Sequence, residues 1–174
     1  MSQRGHVLIV DDSAAVRRLL RELLEAEGYV VQEAADGLAA FLVLSRRVHR
    51  YVVMLDYVMP TLDGWKLLQL ASADSRLLSQ HAYIVMTAPS SELPPALVAF
   101  LGLHTIPLLH KPLHRDHLLT YVAQASRRLV SDVADSTPPA PKQARPLNPL
   151  INISRAGRCE HAASPARSTR ARPT

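Results

Sequence analysis

The sequence predicts an α/β fold in which helices cover both faces of an open, doubly wound parallel sheet. Across the first 135 residues, short continuous apolar runs alternate with longer segments of helical periodicity. Such alternation is typical of parallel strands joined by crossover helices. In addition, 48% of the 174 residues are hydrophobic and 20% are charged. This composition excludes a wholly disordered chain, a collagen-like repeat and a disulfide scaffold.

Five apolar runs are the candidate strands. Four of them are continuous, and the second is a weaker pair of valines. Continuous runs suit strands that are buried on both faces, as in a parallel sheet. Pro107 lies inside the last run and lacks a backbone N–H, which an edge strand tolerates best. The predicted strands are residues 6–10, 30–31, 51–55, 82–86 and 105–109.

A helix is predicted after each strand, which gives five helices. In the first, apolar residues recur at helical spacing from Val16 to Leu24, with charged residues between them. Either Ser13 or Asp12 can cap this helix, and Gly28 can end it. A similar stripe from residue 118 to residue 129 predicts the last helix. Two prolines at 94–95 fit only the first turn of the fourth helix, where the amides lack intrahelical partners.

The composition changes sharply at residue 136. The segment 136–174 holds seven of the 13 prolines, seven basic residues and one acidic residue. We expect a domain over residues 5–133, followed by a disordered, basic, Pro/Arg/Ala-rich tail and no output domain. The charge of the tail leaves open an electrostatic interaction with nucleic acid or an acidic surface. A solubilising role is favoured, because the tail lacks the interleaved aromatic residues that stack on single strands.

The sequence predicts a cytoplasmic protein without a membrane segment. No apolar run reaches the roughly 18 residues that span a bilayer. The first residues also lack the apolar stretch and cleavage site of a signal peptide. Cys159 is the one cysteine, so an intramolecular disulfide is excluded.

Polar residues follow the predicted strands at their carboxyl ends. Asp11 and Asp12 follow the first strand, and Asp56 follows the third. Thr87 follows the fourth and Lys111 the fifth. In a parallel sheet these ends share one edge, so we expect three carboxylates, a hydroxyl and an ammonium to converge there. A divalent cation relieves the repulsion between close carboxylates, and Mg²⁺ suits a site that also accepts phosphate oxygens. A carboxylate can also act as a nucleophile toward phosphorus.

Each of these residues has an ordinary structural explanation when taken alone. Asp11 and Asp12 suit the start of a helix, and Asp56 suits a turn before Pro60. Their joint occurrence, in order and at strand ends, favours a shared chemical site. The segment Met59-Pro60 and the pair Asp63-Gly64 add a loop that leads into the third helix.

Together these motifs resemble the receiver domain of two-component response regulators, over about residues 5–133. The resemblance implies a flavodoxin-like, five-stranded sheet of order 2-1-3-4-5. It implies that Asp56 accepts the phosphoryl group and that Mg²⁺ is held by Asp11, Asp12, Asp56 and the backbone carbonyl of Val58. Thr87 and Lys111 are then the catalytic residues, and the Lys111–Pro112 bond is cis.

The resemblance also implies a function, and the sequence departs from the family at the switch position. A sensor histidine kinase or a histidine phosphotransfer protein would phosphorylate Asp56 of this stand-alone regulator, which would signal by binding a downstream protein. Catalysis would be limited to its own phosphorylation and dephosphorylation. The family's switch pairs the threonine with an aromatic residue, but here Thr87 is paired with Leu108. The alternative is a degenerate receiver that acts as a binding adaptor without phosphorylation.

Overall fold

The computed structural model describes residues 4–135, with side chains up to Ser131. Residues 136–174, with the predicted disordered tail, its charge-based roles and Cys159, lie outside the described residues. Within residues 4–135 no helix combines the length and the apolar character that crossing a membrane requires.

Five parallel strands form one sheet in the order β2-β1-β3-β4-β5, which confirms the predicted topology. The strands are β1 (His6–Val10), β2 (Val30–Ala34), β3 (Tyr51–Asp56), β4 (Ala82–Thr87) and β5 (Leu108–His110). The helices are α1 (Ala14–Ala26), α2 (Gly37–Ser45), α3 (Gly64–Ala73), α4 (Ser75–Gln80), α5 (Pro95–Leu103) and α6 (Arg115–Asp135).

Apolar side chains cover both faces of the sheet. One core contains residues of α1 and α6, such as Leu24 and Val122, packed against Ile9 and Met54 of the central strands. The other contains residues of α2 to α5 on the opposite face of the same strands. All six residues of β3 are buried. Central burial on two faces explains the continuous apolar runs in the sequence.

Three elements differ from the sequence prediction. Strand β2 covers Val30–Ala34 rather than residues 30–31. The third predicted helix is divided at Asp74, which has an extended backbone and accepts a hydrogen bond from the Arg76 N–H, so that the described residues hold six helices. The fifth strand is residues 108–110 rather than 105–109. Thr105 has a positive φ of 53°, and Pro107 has no N–H to donate to the ladder.

The helix ends follow the signals in the sequence, with one choice resolved. Ser13 caps α1 by accepting a hydrogen bond from the Val16 N–H, so the alternative cap, Asp12, is wrong. Gly28 has a φ of +87° and lies just after the C-cap of α1, where a left-handed residue ends a helix. Pro94 and Pro95 form the start of α5 as predicted.

Candidate functional site

Three carboxylates meet at the carboxyl edge of the sheet. Strands β1 and β3 are neighbours, and their register pairs Val10 with Leu55. The residues that follow Val10 therefore lie beside Asp56 at the end of β3. Asp11 is fully buried, Asp56 is 6% exposed, and Asp12 is exposed. One carboxylate oxygen from each of the three lies within 4.8 Å of the others.

Lys111 joins two of these carboxylates. Its Nζ lies 2.8 Å from Asp11 Oδ2 and 2.8 Å from Asp56 Oδ2. The backbone places it there, because the Lys111 N–H donates to the Thr87 carbonyl at 2.7 Å. Burial acts to lower the pKa of Lys111, but its hydrogen bonds to Asp11 and Asp56 outweigh burial and raise the pKa. The lysine therefore stays charged between the two acids.

Asp56 lies in a balance of opposing influences. Burial raises the pKa of Asp56 above its ordinary value, although the hydrogen bond and charge of Lys111 act to lower it. Asp11 also raises the pKa, and a hydrogen bond from the Val58 backbone lowers it. The side chain of Val58 itself is 58% exposed. Lys111 is therefore the main group that opposes the effect of burial on the pKa of Asp56.

The loop that carries Asp11 and Asp12 is fixed by backbone contacts. Asp11 Oδ1 accepts from the Ser13 N–H at 2.9 Å. Nη1 of Arg17 donates to the carbonyls of Asp11 at 2.7 Å and Asp12 at 3.1 Å. Arg17 Nε in turn donates to Glu33 on β2 at 3.1 Å. Sequence reasoning missed the role of Arg17, which in the sequence is one of several charged residues on the polar face of α1.

Gly64 lets α3 approach the end of β3 closely. The Gly64 N–H donates to the Tyr57 carbonyl at 3.1 Å. A Cβ on Gly64 would lie 2.5 Å from the Asp56 carbonyl oxygen, so no larger residue fits without a shift of the backbone. Asp63 caps the same helix through the Lys66 N–H at 2.8 Å. The Asp-Gly pair therefore anchors the loop behind Asp56.

The donor set fits Mg²⁺. Three carboxylates with oxygens this close, two of them buried, match a hard cation that takes oxygen ligands and keeps several waters. The exposure of Asp12 leaves one side of the cluster open to solvent.

A family model described as the response regulator receiver domain matches residues 7–123. The chain belongs to this family. The match confirms the family that the strand-end motifs of the sequence indicate.

The curated relatives that match this receiver domain are longer than the segment that aligns with this chain. Transcriptional regulatory protein FixJ of Bradyrhizobium diazoefficiens is 32% identical over 128 residues, which are 74% of this chain and 60% of that protein. The probable transcriptional regulator ycf27 of Porphyridium aerugineum is 40% identical over 88 residues. These are 51% of this chain but 35% of that relative, so the chain spans about a third of its length.

Solved structures agree with the fold. A CheY-like response regulator receiver domain protein from Methanospirillum hungatei has a TM-score of 0.66 and 26% identity, covering 74% of this chain and 99% of that chain. Full-length FixJ from B. japonicum has a TM-score of 0.62 and 27% identity, covering 76% of this chain and 63% of that chain.

The remaining predicted site residues of the receiver domain, Thr87 and Leu108, lie on β4 and β5. Thr87 is fully buried at the end of β4, and its hydroxyl lies 3.4 Å from the Ala88 carbonyl. Leu108 pairs in register with Val85 and is half-buried against the core. The Lys111–Pro112 bond is cis, as predicted. The metal-binding role of the Val58 carbonyl and the switch role of Thr87 and Leu108 stay predictions.

Proposed function

We propose that this receiver domain accepts a phosphoryl group on Asp56 in a Mg²⁺-dependent reaction. The observation that carries the proposal is the position of Lys111 Nζ, 2.8 Å from both Asp11 and Asp56. A cation held between two acids at an otherwise buried nucleophile suits transfer of an anionic phosphoryl group. The proposed donors are a sensor histidine kinase or a histidine phosphotransfer protein, because the family takes its phosphoryl groups from such proteins.

In the proposed transfer, a carboxylate oxygen of Asp56 attacks phosphorus and the bond from phosphorus to the donor's nitrogen breaks. The nitrogen keeps the electron pair, and the product is an aspartyl phosphate. Lys111 pairs with the phosphoryl oxygens, and the hydroxyl of Thr87 donates to one of them. Mg²⁺, when held by Asp11, Asp12, Asp56 and the Val58 carbonyl, would supply positive charge that stabilises the oxygens in transfer. Catalysis in this proposal is confined to the domain's own phosphorylation and dephosphorylation.

The proposed output is a change in protein binding. An added phosphoryl group places negative charge beside the buried hydroxyl of Thr87. Movement of Thr87 toward that charge would repack the segment between β4 and α5, which biases a surface that a downstream protein reads.

The test is intact mass after incubation with Mg²⁺ and acetyl phosphate. Wild type and Asp63→Asn are expected to gain one phosphoryl group, whereas Asp56→Asn gains none. Asp63 is a matched control, because it lies in the same loop and its side-chain oxygen caps α3, a role that asparagine retains. Omitting Mg²⁺ is expected to abolish uptake. The proposal fails if Asp56→Asn is modified as fast as wild type.

A second candidate function rests on Leu108. This side chain already packs against the core, and it carries no ring or hydroxyl that could couple to Thr87. We therefore keep the degenerate receiver, an adaptor that binds its partner without phosphorylation, as the alternative. An unmodified wild type with an intact fold, given both acetyl phosphate and a cognate kinase, would favour it.

A further inference from the structure

A cavity of about 830 Å³ opens at the amino end of β4, away from the acidic cluster. Its walls come from the end of α3, from α4, from the start of β4, from the end of α5, from the segment 104–107 and from the middle of α6. The volume is within the range of small-molecule sites. Asp11, Asp56, Thr87 and Lys111 do not line it, so it is separate from the phosphoacceptor site.

The cavity exists because β5 starts late. The Val85 N–H donates to the Pro107 carbonyl at 2.9 Å, and Thr87 accepts from Lys111. Alternate residues of a strand direct their backbone groups to the same neighbour, so the N–H and carbonyl of Tyr83 also face the β5 side. Pro107 has no N–H to donate to Tyr83. The ladder therefore stops, and the first half of β4 borders the cavity.

The lining combines apolar walls with hydrogen-bond donors. Leu101 and Ile106 contribute apolar surface, and both are largely buried. Gly102 leaves open space, since no atom lies within 4 Å of the position its Cβ would take. Arg128 and Gln124 of α6 supply a charge and an amide. None of the described residues that line the cavity is acidic. Among these described residues Arg128 is the one permanent cation and no carboxylate offsets its charge, which complements an anionic ligand.

We propose that this cavity binds an anionic small molecule with an apolar body. The acidic group pairs with Arg128, and the apolar body lies against Leu101 and Ile106. The backbone N–H and carbonyl of Tyr83 form a donor and acceptor pair along one side of the ligand.

The probe for this proposal is 1-anilinonaphthalene-8-sulfonate, which has a sulfonate and a flat apolar body, titrated into the full chain and followed by fluorescence. Saturable binding of one dye per chain is expected. Arg128→Gln is expected to weaken binding by about fivefold, the upper range of an exposed ion pair. Arg127→Gln is the matched control, because Arg127 precedes Arg128 on the same helix but does not line the cavity. N-phenyl-1-naphthylamine, which lacks the sulfonate, is expected to bind wild type and Arg128→Gln equally.

A steric variant tests the location of the site. Gly102→Phe is expected to reduce dye affinity by about tenfold or more, because the ring would occupy part of the apolar space that the dye needs. Gly102→Ala changes the same helix position but leaves the cavity open, so it is expected to bind as wild type does. Circular dichroism confirms that each variant is folded. Absence of saturable binding, or equal effects of the Arg127 and Arg128 substitutions, overturns the proposal.

Discussion

Replacing Gly64 by alanine isolates one contact on which the site depends. The new Cβ would lie 2.5 Å from the Asp56 carbonyl oxygen and 3.0 Å from the Tyr57 Cα. Both neighbours are backbone atoms, so no side-chain rotation can relieve the overlap. The end of β3 or the start of α3 must move by roughly 0.5 Å to restore even a tight contact.

The expected cost follows from overpacking. Inserting one carbon into a close-packed site destabilises by about 1–3 kcal/mol. The control is Gly102→Ala, at a position where a Cβ would have no atom within 4 Å. Alanine is favoured over glycine inside a helix by up to about 1 kcal/mol. We therefore expect the two glycine-to-alanine changes to shift stability in opposite directions, with Gly64→Ala the destabilising one.

The rate of phosphoryl uptake should also depend on the close approach of Gly64 to the Asp56 carbonyl. Asp56 Oδ2 lies 2.8 Å from Lys111 Nζ, and a small displacement of the β3 end disturbs that alignment. Displacements of about 1 Å in reacting groups cost up to about 100-fold in rate, so we expect at least a severalfold slower uptake in Gly64→Ala. Urea unfolding gives the stability, and a time course of intact mass gives the rate. If both variants are stabilised, or if Gly64→Ala is phosphorylated at the wild-type rate, the steric argument is wrong.

Three further predictions concern buried charge and its support. Burial, assisted by nearby arginines, lowers the pKa of His81 to about 4. The folded protein therefore favours the neutral imidazole, and the stability that this preference contributes is fully present above pH 6.5. It is lost as the pH falls toward 4, by about 3 kcal/mol at most. Urea unfolding at several pH values should show a shallower acid loss for His81→Asn, and an unchanged slope would refute this assignment. Lys111→Met leaves the fully buried Asp11 without its cation. The free energy of unfolding should therefore fall by about 3 kcal/mol, and phosphoryl uptake should slow. Equal stability of the variant and wild type in urea would contradict this prediction. Arg17→Leu should weaken Mg²⁺ binding severalfold in calorimetry, whereas Arg18→Leu, at an exposed neighbouring position, should not. Equal losses of Mg²⁺ affinity in the two variants would show that Arg17 does not hold the loop.

Sequence reasoning located the acidic cluster because strand ends in a parallel sheet share an edge. That rule needs only the strand positions, and four of the five were clear as apolar runs. It placed Asp11, Asp56 and Lys111 side by side, which the structure confirms. The division of the third helix was missed because Asp74 lies in a segment whose residues are all compatible with a helix. Asp74 instead caps α4 by accepting a hydrogen bond from the Arg76 N–H, and its carboxylate pairs with Arg47.

The role of Arg17 could not be predicted from helical periodicity for a related reason. Arg17 contacts the carbonyls of Asp11 and Asp12 and the carboxylate of Glu33, residues that lie on different elements. A pattern along one helix reports which face is polar but not what that face touches across the sheet.

Pro107 affects both the position of Lys111 and the cavity beside β4. Lys111, four residues later, is held against the acidic cluster by ladder hydrogen bonds of β4 and β5. The ladder begins at Pro107, whose carbonyl accepts from the Val85 N–H, because Pro107 has no N–H of its own to donate to Tyr83. Pro107 therefore separates the part of β5 that positions Lys111 beside the acidic cluster from the preceding segment, which leaves the first half of β4 bordering the cavity.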